Sequence, residues 1–89
     1  MVQVGGRFVL ELESNPTTGY RWEPEFDSSL LRLAAHRFEP GADRPGAGGR
    51  QRFEFEGRTL GHGVLRFHYR SSWRPGSAGE REYEVAVLA

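Results

Sequence analysis

The chain has 89 residues, 37% of them hydrophobic and 12% aromatic, which suits one folded domain over residues 1–89 with a modest core and argues against global disorder. Twelve arginines, with no lysine, balance twelve Asp and Glu, so the net charge is zero and the basic excess of a nucleic-acid binder is missing. The absence of cysteine excludes disulfides, thiolate metal sites and a cysteine nucleophile together.

Taken in order, the first six residues, Met1 to Gly6, carry neither a basic start nor an apolar run, so no signal peptide is expected. That leaves two readings of the compartment: cytoplasmic, or secreted or periplasmic after removal of a leader. Apolar runs are only a few residues long throughout, so no transmembrane helix and no membrane partner are expected. A short first strand covers Val2 to Val4 and closes at Gly5-Gly6. Arg7 to Glu13 alternates strictly, which reads as a half-buried strand with Phe8, Leu10 and Leu12 inward. A turn follows at Asn15-Pro16-Thr17-Thr18-Gly19. Asn15 is able to bond its own backbone two residues on, and Pro16 fixes φ near −65°. Gly19 tolerates positive φ, and Thr17 and Thr18 are left at the tip as short, stiff, hydroxyl-bearing side chains.

A third strand starts at Tyr20, with Tyr20 and Trp22 on one face, and Pro24 ends or bends it. Asp27-Ser28-Ser29 is a turn. Leu30 to Phe38 fits either a helical face or a strand in which Leu31, Leu33 and Ala35 alternate; strand is the choice because every neighbour is strand-like. A long Gly- and Pro-containing loop runs from Glu39 to Gly49. Arg50 to Glu56 is a strand with Phe53 and Phe55 inward. After a turn at Gly57 to Gly63, Val64 to Arg70 is a strand with Leu65, Phe67 and Tyr69 inward. Ser71 to Gly79 reads as another loop, holding Trp73. Arg81 to Leu88 is the last strand, with Tyr83, Val85 and Val87 inward. Short strands at this spacing, with no convincing helix, indicate a β-sandwich or barrel.

If consecutive strands alternate direction, the Asn15–Gly19, Glu39–Gly49 and Ser71–Gly79 loops emerge at one end. Three loops at one end of a rigid scaffold make a binding edge.

The residues that carry this edge also carry a family resemblance. Asn15-Pro16-Thr17-Thr18-Gly19-Tyr20 with Trp22, then Gly46-Ala47-Gly48-Gly49 followed by Gln51, Phe53 and Phe55, then Phe67-His68-Tyr69 followed by Trp73, resemble the chagasin-like inhibitors of cysteine peptidases in order and spacing. The resemblance implies an all-β fold, an immunoglobulin-like antiparallel β-sandwich with three binding loops at one end. It implies a monomer that blocks the active-site cleft of a papain-like cysteine peptidase reversibly and without a covalent bond. Asn15, Pro16, Thr17, Thr18 and Gly19 would enter the cleft, with Thr17 and Thr18 near the catalytic cysteine. Gly46, Ala47, Gly48 and Gly49 would offer backbone groups. Arg70, Ser71, Ser72, Trp73 and Arg74 would form the third contact, with Trp73 as aromatic anchor. The family's Arg-Pro before the tryptophan is Ser71-Ser72 here, and Arg74-Pro75 follow Trp73 instead.

Blander readings exist for each feature. The Asn15–Gly19 stretch alone is equally a plain inter-strand turn, and Gly46–Gly49 alone a flexible loop. No Lys-Ser/Thr or helix follows those glycines, so a phosphate loop does not fit. His36, His62 and His68 lack close ligand spacing, so no metal and no cofactor are expected. Glu11/Glu13, Glu54/Glu56 and Glu82/Glu84 sit at i,i+2 on outward strand faces, which suits a solvated surface paired with arginine. No nucleophile elbow is present, so no enzyme activity is expected. The rival to an inhibitor is an immunoglobulin-like binding or adhesion module for a glycan or an unrelated protein.

Overall fold

A computed structural model of the chain describes residues 1–15, 18–41 and 48–89. Seven strands run in chain order: β1 Val2–Gln3, β2 Arg7–Ser14, β3 Tyr20–Glu25, β4 Leu31–Pro40, β5 Gly49–Gly57, β6 Gly61–Ser71 and β7 Arg74–Leu88. They form a four-stranded sheet ordered β1-β7-β6-β3 and a three-stranded sheet ordered β2-β5-β4. The fold is an all-β, immunoglobulin-like sandwich. Every pairing is antiparallel except β1 with β7, where Val2 lies beside Val87 and Gln3 beside Leu88 in parallel. Val4 then bridges to Gly57 of the other sheet, and the Gly5 N–H donates to the Gly57 carbonyl. The N-terminal segment is therefore a seam that joins both sheets at one end.

The alternation in the sequence fixes which side chains meet between the sheets. Phe53, Phe55, Leu65 and Phe67 are completely buried, with Leu12, Trp22, Leu31, Val85 and Val87 around them. Phe67 packs at 4.8 Å from Phe53 and 6.2 Å from Phe55 between ring centroids, so one ring from β6 fills the space between two from β5. Burying each such side chain stabilises the fold by about 1.5–3 kcal/mol. The outward faces carry cross-strand ion pairs, such as Arg7 and Arg32 on either side of Glu56.

Four local readings of the sequence are corrected. In β4 the pairing with β5 slips between Leu33 and Ala35. This bulge shifts the alternation, so Ala35 stands opposite the outward Glu54 while His36, still partly open to solvent, stands opposite Phe53 and stacks on it at 4.4 Å. Pro24 does not end β3; it sits inside an edge strand, where a missing N–H costs no ladder bond. The connection after β5 is shorter than Gly57–Gly63, because pairing resumes at Gly61. The stretch Ser71–Gly79 is not a loop. Ser71 pairs with Arg74 around the two-residue turn Ser72-Trp73, and β7 takes up its extra residues in an irregularity between the Tyr69 and Ser71 registers. Gly76, at φ 79°, supplies the left-handed residue that this irregularity needs.

Candidate functional site

Three connections meet at the end of the sandwich opposite the N-terminal seam. Ser14 of β2, Pro40 of β4 and Gly49 of β5 lie in one cross-strand row of the smaller sheet. Tyr20, Ser71 and Arg74 lie in the corresponding row of the larger sheet. The β2–β3, β4–β5 and β6–β7 connections thus leave from the same end, as strand alternation requires.

The first connection is held by its own backbone. The carbonyl of Asn15 accepts from the Thr18 N–H at 3.1 Å and from the Thr18 hydroxyl at 2.7 Å. Thr18 Oγ1 also accepts from the Tyr20 N–H at 3.4 Å. Thr18 is exposed, yet its hydroxyl is engaged within the turn, where the sequence reading had it presented at the tip. Gly19 follows at φ 82°. A β-carbon there would come within 2.6 Å of Trp73 Nε1, so the indole of the β6–β7 turn lies directly over Gly19. Glycine is required twice at this position, for its backbone angle and for the indole's approach.

Trp73 is 62% exposed, an unusual state for the largest apolar side chain of a small protein. Its ring meets Tyr20 edge-on at 5.9 Å, and the Arg74 guanidinium lies 5.5 Å from its centre. Tyr20 stacks on Tyr69 at 5.4 Å, and Tyr69 packs on Trp22 at 4.7 Å. An unbroken aromatic run therefore links the exposed indole to the buried core.

The second connection begins at Gly41 and ends at Gly48, whose carbonyl accepts from the Gly41 N–H at 2.9 Å. A side chain on Gly49 would overlap the Glu39 carbonyl and the Phe38 ring, so the base of this connection closes only on glycine. Gly48 is the neighbour of Asn15, which brings the first and second connections together. Between them lies a depression of about 770 Å³ bordered by Glu13, Ser14, Asn15, Glu39, Gly48 and Arg50. Of the candidate residues, Asn15, Thr18, Gly19, Gly48, Gly49, Arg70, Ser71, Ser72, Trp73 and Arg74 are gathered at this end. Pro16, Thr17, Gly46 and Ala47 lie outside the described residues.

Beneath the three connections Gln51 and Trp22, both among the residues that carry the resemblance, form a clamp whose bonding the sequence did not foretell. Gln51 is 3% exposed and points between the sheets. Its Oε1 accepts from the Trp22 N–H at 2.7 Å, and its Nε2 donates to the Trp22 carbonyl at 3.2 Å. The side-chain amide thus behaves as one more peptide unit along the free edge of β3. Trp22 Nε1 in turn donates to the Glu13 carbonyl at 2.8 Å. The ends of β2, β3 and β5 are tied together directly below the edge. Gln51 Nε2 also lies 3.0 Å from His36 Nε2. Since the amide nitrogen is the donor, that imidazole nitrogen must accept, and His36 is neutral with its proton on Nδ1. Burial first, and then the Arg21 charge, push the His36 pKa below its ordinary value, in the same direction. Parity offered a signal for the clamp: Gln51 lies in register with the inward Phe53 and Phe55, and an inward polar side chain requires partners.

No group of three or more His, Asp or Glu suited to a metal ion occurs among the described residues.

Comparison with known proteins gives a consistent result. The family model described as Chagasin family peptidase inhibitor I42 matches residues 1–87. Amoebiasin-1 of Entamoeba histolytica is 33% identical over 79 residues, covering 85% of this chain and 74% of that protein. Chagasin of Trypanosoma cruzi is 28% identical over 94 residues, covering 99% and 86%. Among solved structures, a cysteine protease inhibitor from Entamoeba histolytica superposes with a TM-score of 0.81 at 17% identity, over 97% of this chain and 86% of that one. The solution structure of amebosin gives 0.58 at 26% identity, over 99% and 85%.

Proposed function

The chain belongs to the chagasin family of peptidase inhibitors, and from that premise we propose that it inhibits papain-like cysteine peptidases reversibly by filling the active-site cleft with its three connections. One observation carries the reading. Three separate connections leave from one end, and their described residues are tied there before any partner arrives, by the Asn15–Thr18 hydrogen bond, the Gly19–Trp73 approach and the Gln51 clamp. A peptidase of this class attacks a carbonyl that it can hold at the right angle. A turn closed on its own hydrogen bonds occupies the cleft without offering a peptide bond in that geometry, so occupancy alone inhibits. Each described residue of the edge that is already tied down loses little conformational entropy on binding, which favours tight association. An ordinary stable interface takes roughly 800 Å² per partner, which a contact made by three connections can reach. Trp73, exposed and supported from below, has the chemistry of an interface anchor. The inhibitor acts as a monomer, with Asn15 to Gly19 in the cleft and Gly46 to Gly49 alongside.

Titration of papain and a cathepsin L-type enzyme with a fluorogenic substrate tests this. Reversible, stoichiometric inhibition is expected. Thr17→Asp should weaken it strongly by placing charge against the cleft. Trp73→Ala should weaken it about 30-fold, the effect of losing an anchor of about 2 kcal/mol. Its melting temperature should hardly change, because the side chain is mostly exposed. A folded wild-type chain that leaves both enzymes untouched at micromolar concentration would refute the proposal and return weight to a glycan- or protein-binding module.

A further inference from the structure

Beside the three connections, the outer face of the larger sheet carries a charge arrangement that folding does not account for. Further from the edge, the one outward row that holds an arginine among the described residues also holds carboxylates, Glu25-Arg66-Glu82, and the row between places His68 between Glu23 and Glu80. Arg66 contacts both carboxylates of its row, at 3.5 Å and 2.5 Å. In the smaller sheet, too, each row that holds an arginine holds a carboxylate, Arg7-Glu56-Arg32, Glu11-Arg52-Arg37 and Glu13-Arg50-Glu39, although Arg37 stands directly opposite Arg52 in the second. The row nearest the edge breaks it. Arg21 of β3 stands directly opposite Arg70 of β6. The irregularity of β7 leaves only Pro75, Gly76, Ser77 and Ala78 alongside, all uncharged. Among the described residues this is the one outward row with arginine and no carboxylate. Arg21 has no ion-pair partner there, and Arg70 reaches only Glu23, at 3.9 Å with both side chains nearly half exposed. Like charges directly opposite each other destabilise a sheet, on the scale of about 0.2–1 kcal/mol per pair.

These two guanidiniums flank a depression of about 370 Å³ lined by Gly19, Arg21, Glu23, Arg70, Ser71 and Ser72. Gly19 belongs to the first connection and Ser72 to the third, so the depression is continuous with the proposed binding edge. A third guanidinium, Arg74, lies over Trp73 in the adjoining turn. We propose that Arg21 and Arg70 form a cationic flank that receives a carboxylate-bearing segment on the rim of the bound peptidase's cleft. This rests on the inhibitory reading above and specifies the partner: a peptidase with an acidic rim on the side facing the larger sheet. Exposed charges at the margin of an interface act chiefly on the rate of encounter and on its salt dependence.

The test compares the wild-type chain with the Arg21→Gln/Arg70→Gln double variant. Association rates with papain and with a cathepsin L-type enzyme are measured from about 0.02 to 0.5 M ionic strength, over which the screening length falls from about 20 to about 4 Å. The double variant should associate about 3- to 10-fold more slowly at low salt, converge with wild type at high salt, and melt at the same or a higher temperature. Arg21→Lys/Arg70→Lys should keep most of the wild-type rate. Equal or faster association by the Gln variant with both enzymes, while inhibition persists, overturns the flank and leaves the inhibitory reading standing. A wild-type chain that inhibits neither enzyme removes both.

Discussion

Replacing Gln51 by leucine should cost the fold more than any exposed change at the edge. Leucine has nearly the same bulk but no amide. The Trp22 N–H and carbonyl, now bonded at 2.7 Å and 3.2 Å, would be left in a region where Trp22 itself is 7% exposed and Gln51 3%. Each orphaned backbone group costs about 1–3 kcal/mol. The leucine side chain returns part of this by its own burial, about 1.5–3 kcal/mol at most. The net loss should be about 1–3 kcal/mol. For 89 residues, an unfolding entropy of about 2.1 cal/mol/K per residue converts this to a fall of roughly 5–15 °C in melting temperature. Gln51→Glu provides an internal comparison. Its carboxylate still accepts from the Trp22 N–H but has nothing to donate to the Trp22 carbonyl, and it buries a charge, so it should be at least as damaging at neutral pH. Thermal unfolding followed by circular dichroism, with urea titration as a second route to the free energy, decides the matter. A Gln51→Leu protein that melts within about 4 °C of wild type has lost less than about 1 kcal/mol. That result would show that Gln51 does not serve as the missing edge partner of β3.

Two further outcomes follow from the edge and its support. Gly19→Ala should lower stability by about 1–2 kcal/mol through its backbone angle alone. It should also displace Trp73, which calorimetry, tryptophan fluorescence and the loss of peptidase inhibition would register together; unchanged fluorescence would contradict the indole's position over Gly19. Acidification should weaken the protein before its carboxylates titrate. His36 is held neutral in the fold with its pKa lowered, so its contribution is complete above the ordinary value of about 6.5 and is lost as the pH falls through that value. The carboxyls of Glu25, Asp27 and Glu56 are also held low, chiefly by hydrogen bonds from His68, Ser29 and Arg32 respectively, and should act only below about pH 4–5. His36→Gln should flatten melting temperature against pH between about 7 and 5 and leave the steeper acid limb intact; an unaltered profile would remove His36 as the cause.

Much of this architecture was legible because it follows from period and parity. Strict alternation from Arg7 to Glu13 placed Leu12 inward, and the same rule placed Phe53, Phe55, Leu65 and Phe67. Counting strands was enough to put three connections at one end. The misreadings occurred where local composition hides geometry. Nothing in Leu33-Ala34-Ala35-His36 signals a bulge, since two small residues read as easily through an alternation as across a slip. Pro75-Gly76-Ser77-Ala78-Gly79 has the composition of a loop, yet one positive-φ glycine lets the strand continue through it. The Thr18 hydroxyl turned inward because the Asn15 carbonyl was within reach, a competition between solvent and backbone that sequence does not rank. The Arg21–Arg70 opposition needed the β3–β6 register, which parity alone does not supply.

The seam formed by Val2 to Gly6 also bears on how the protein is handled. Val2 lies beside Val87, and the Gln3 amide reaches the carbonyl of Ala89 at 3.5 Å, so both ends of the chain lie together. They sit at the far pole of a body whose longest dimension is 45 Å, with Trp73 at the other pole. An affinity tag, a biotin or a fused partner at either end therefore points away from the edge. A chain immobilised through its terminus should present Gly19 and Trp73 to the solution in one orientation. Capture of a peptidase on such a surface should match its capture in free solution, without a spacer.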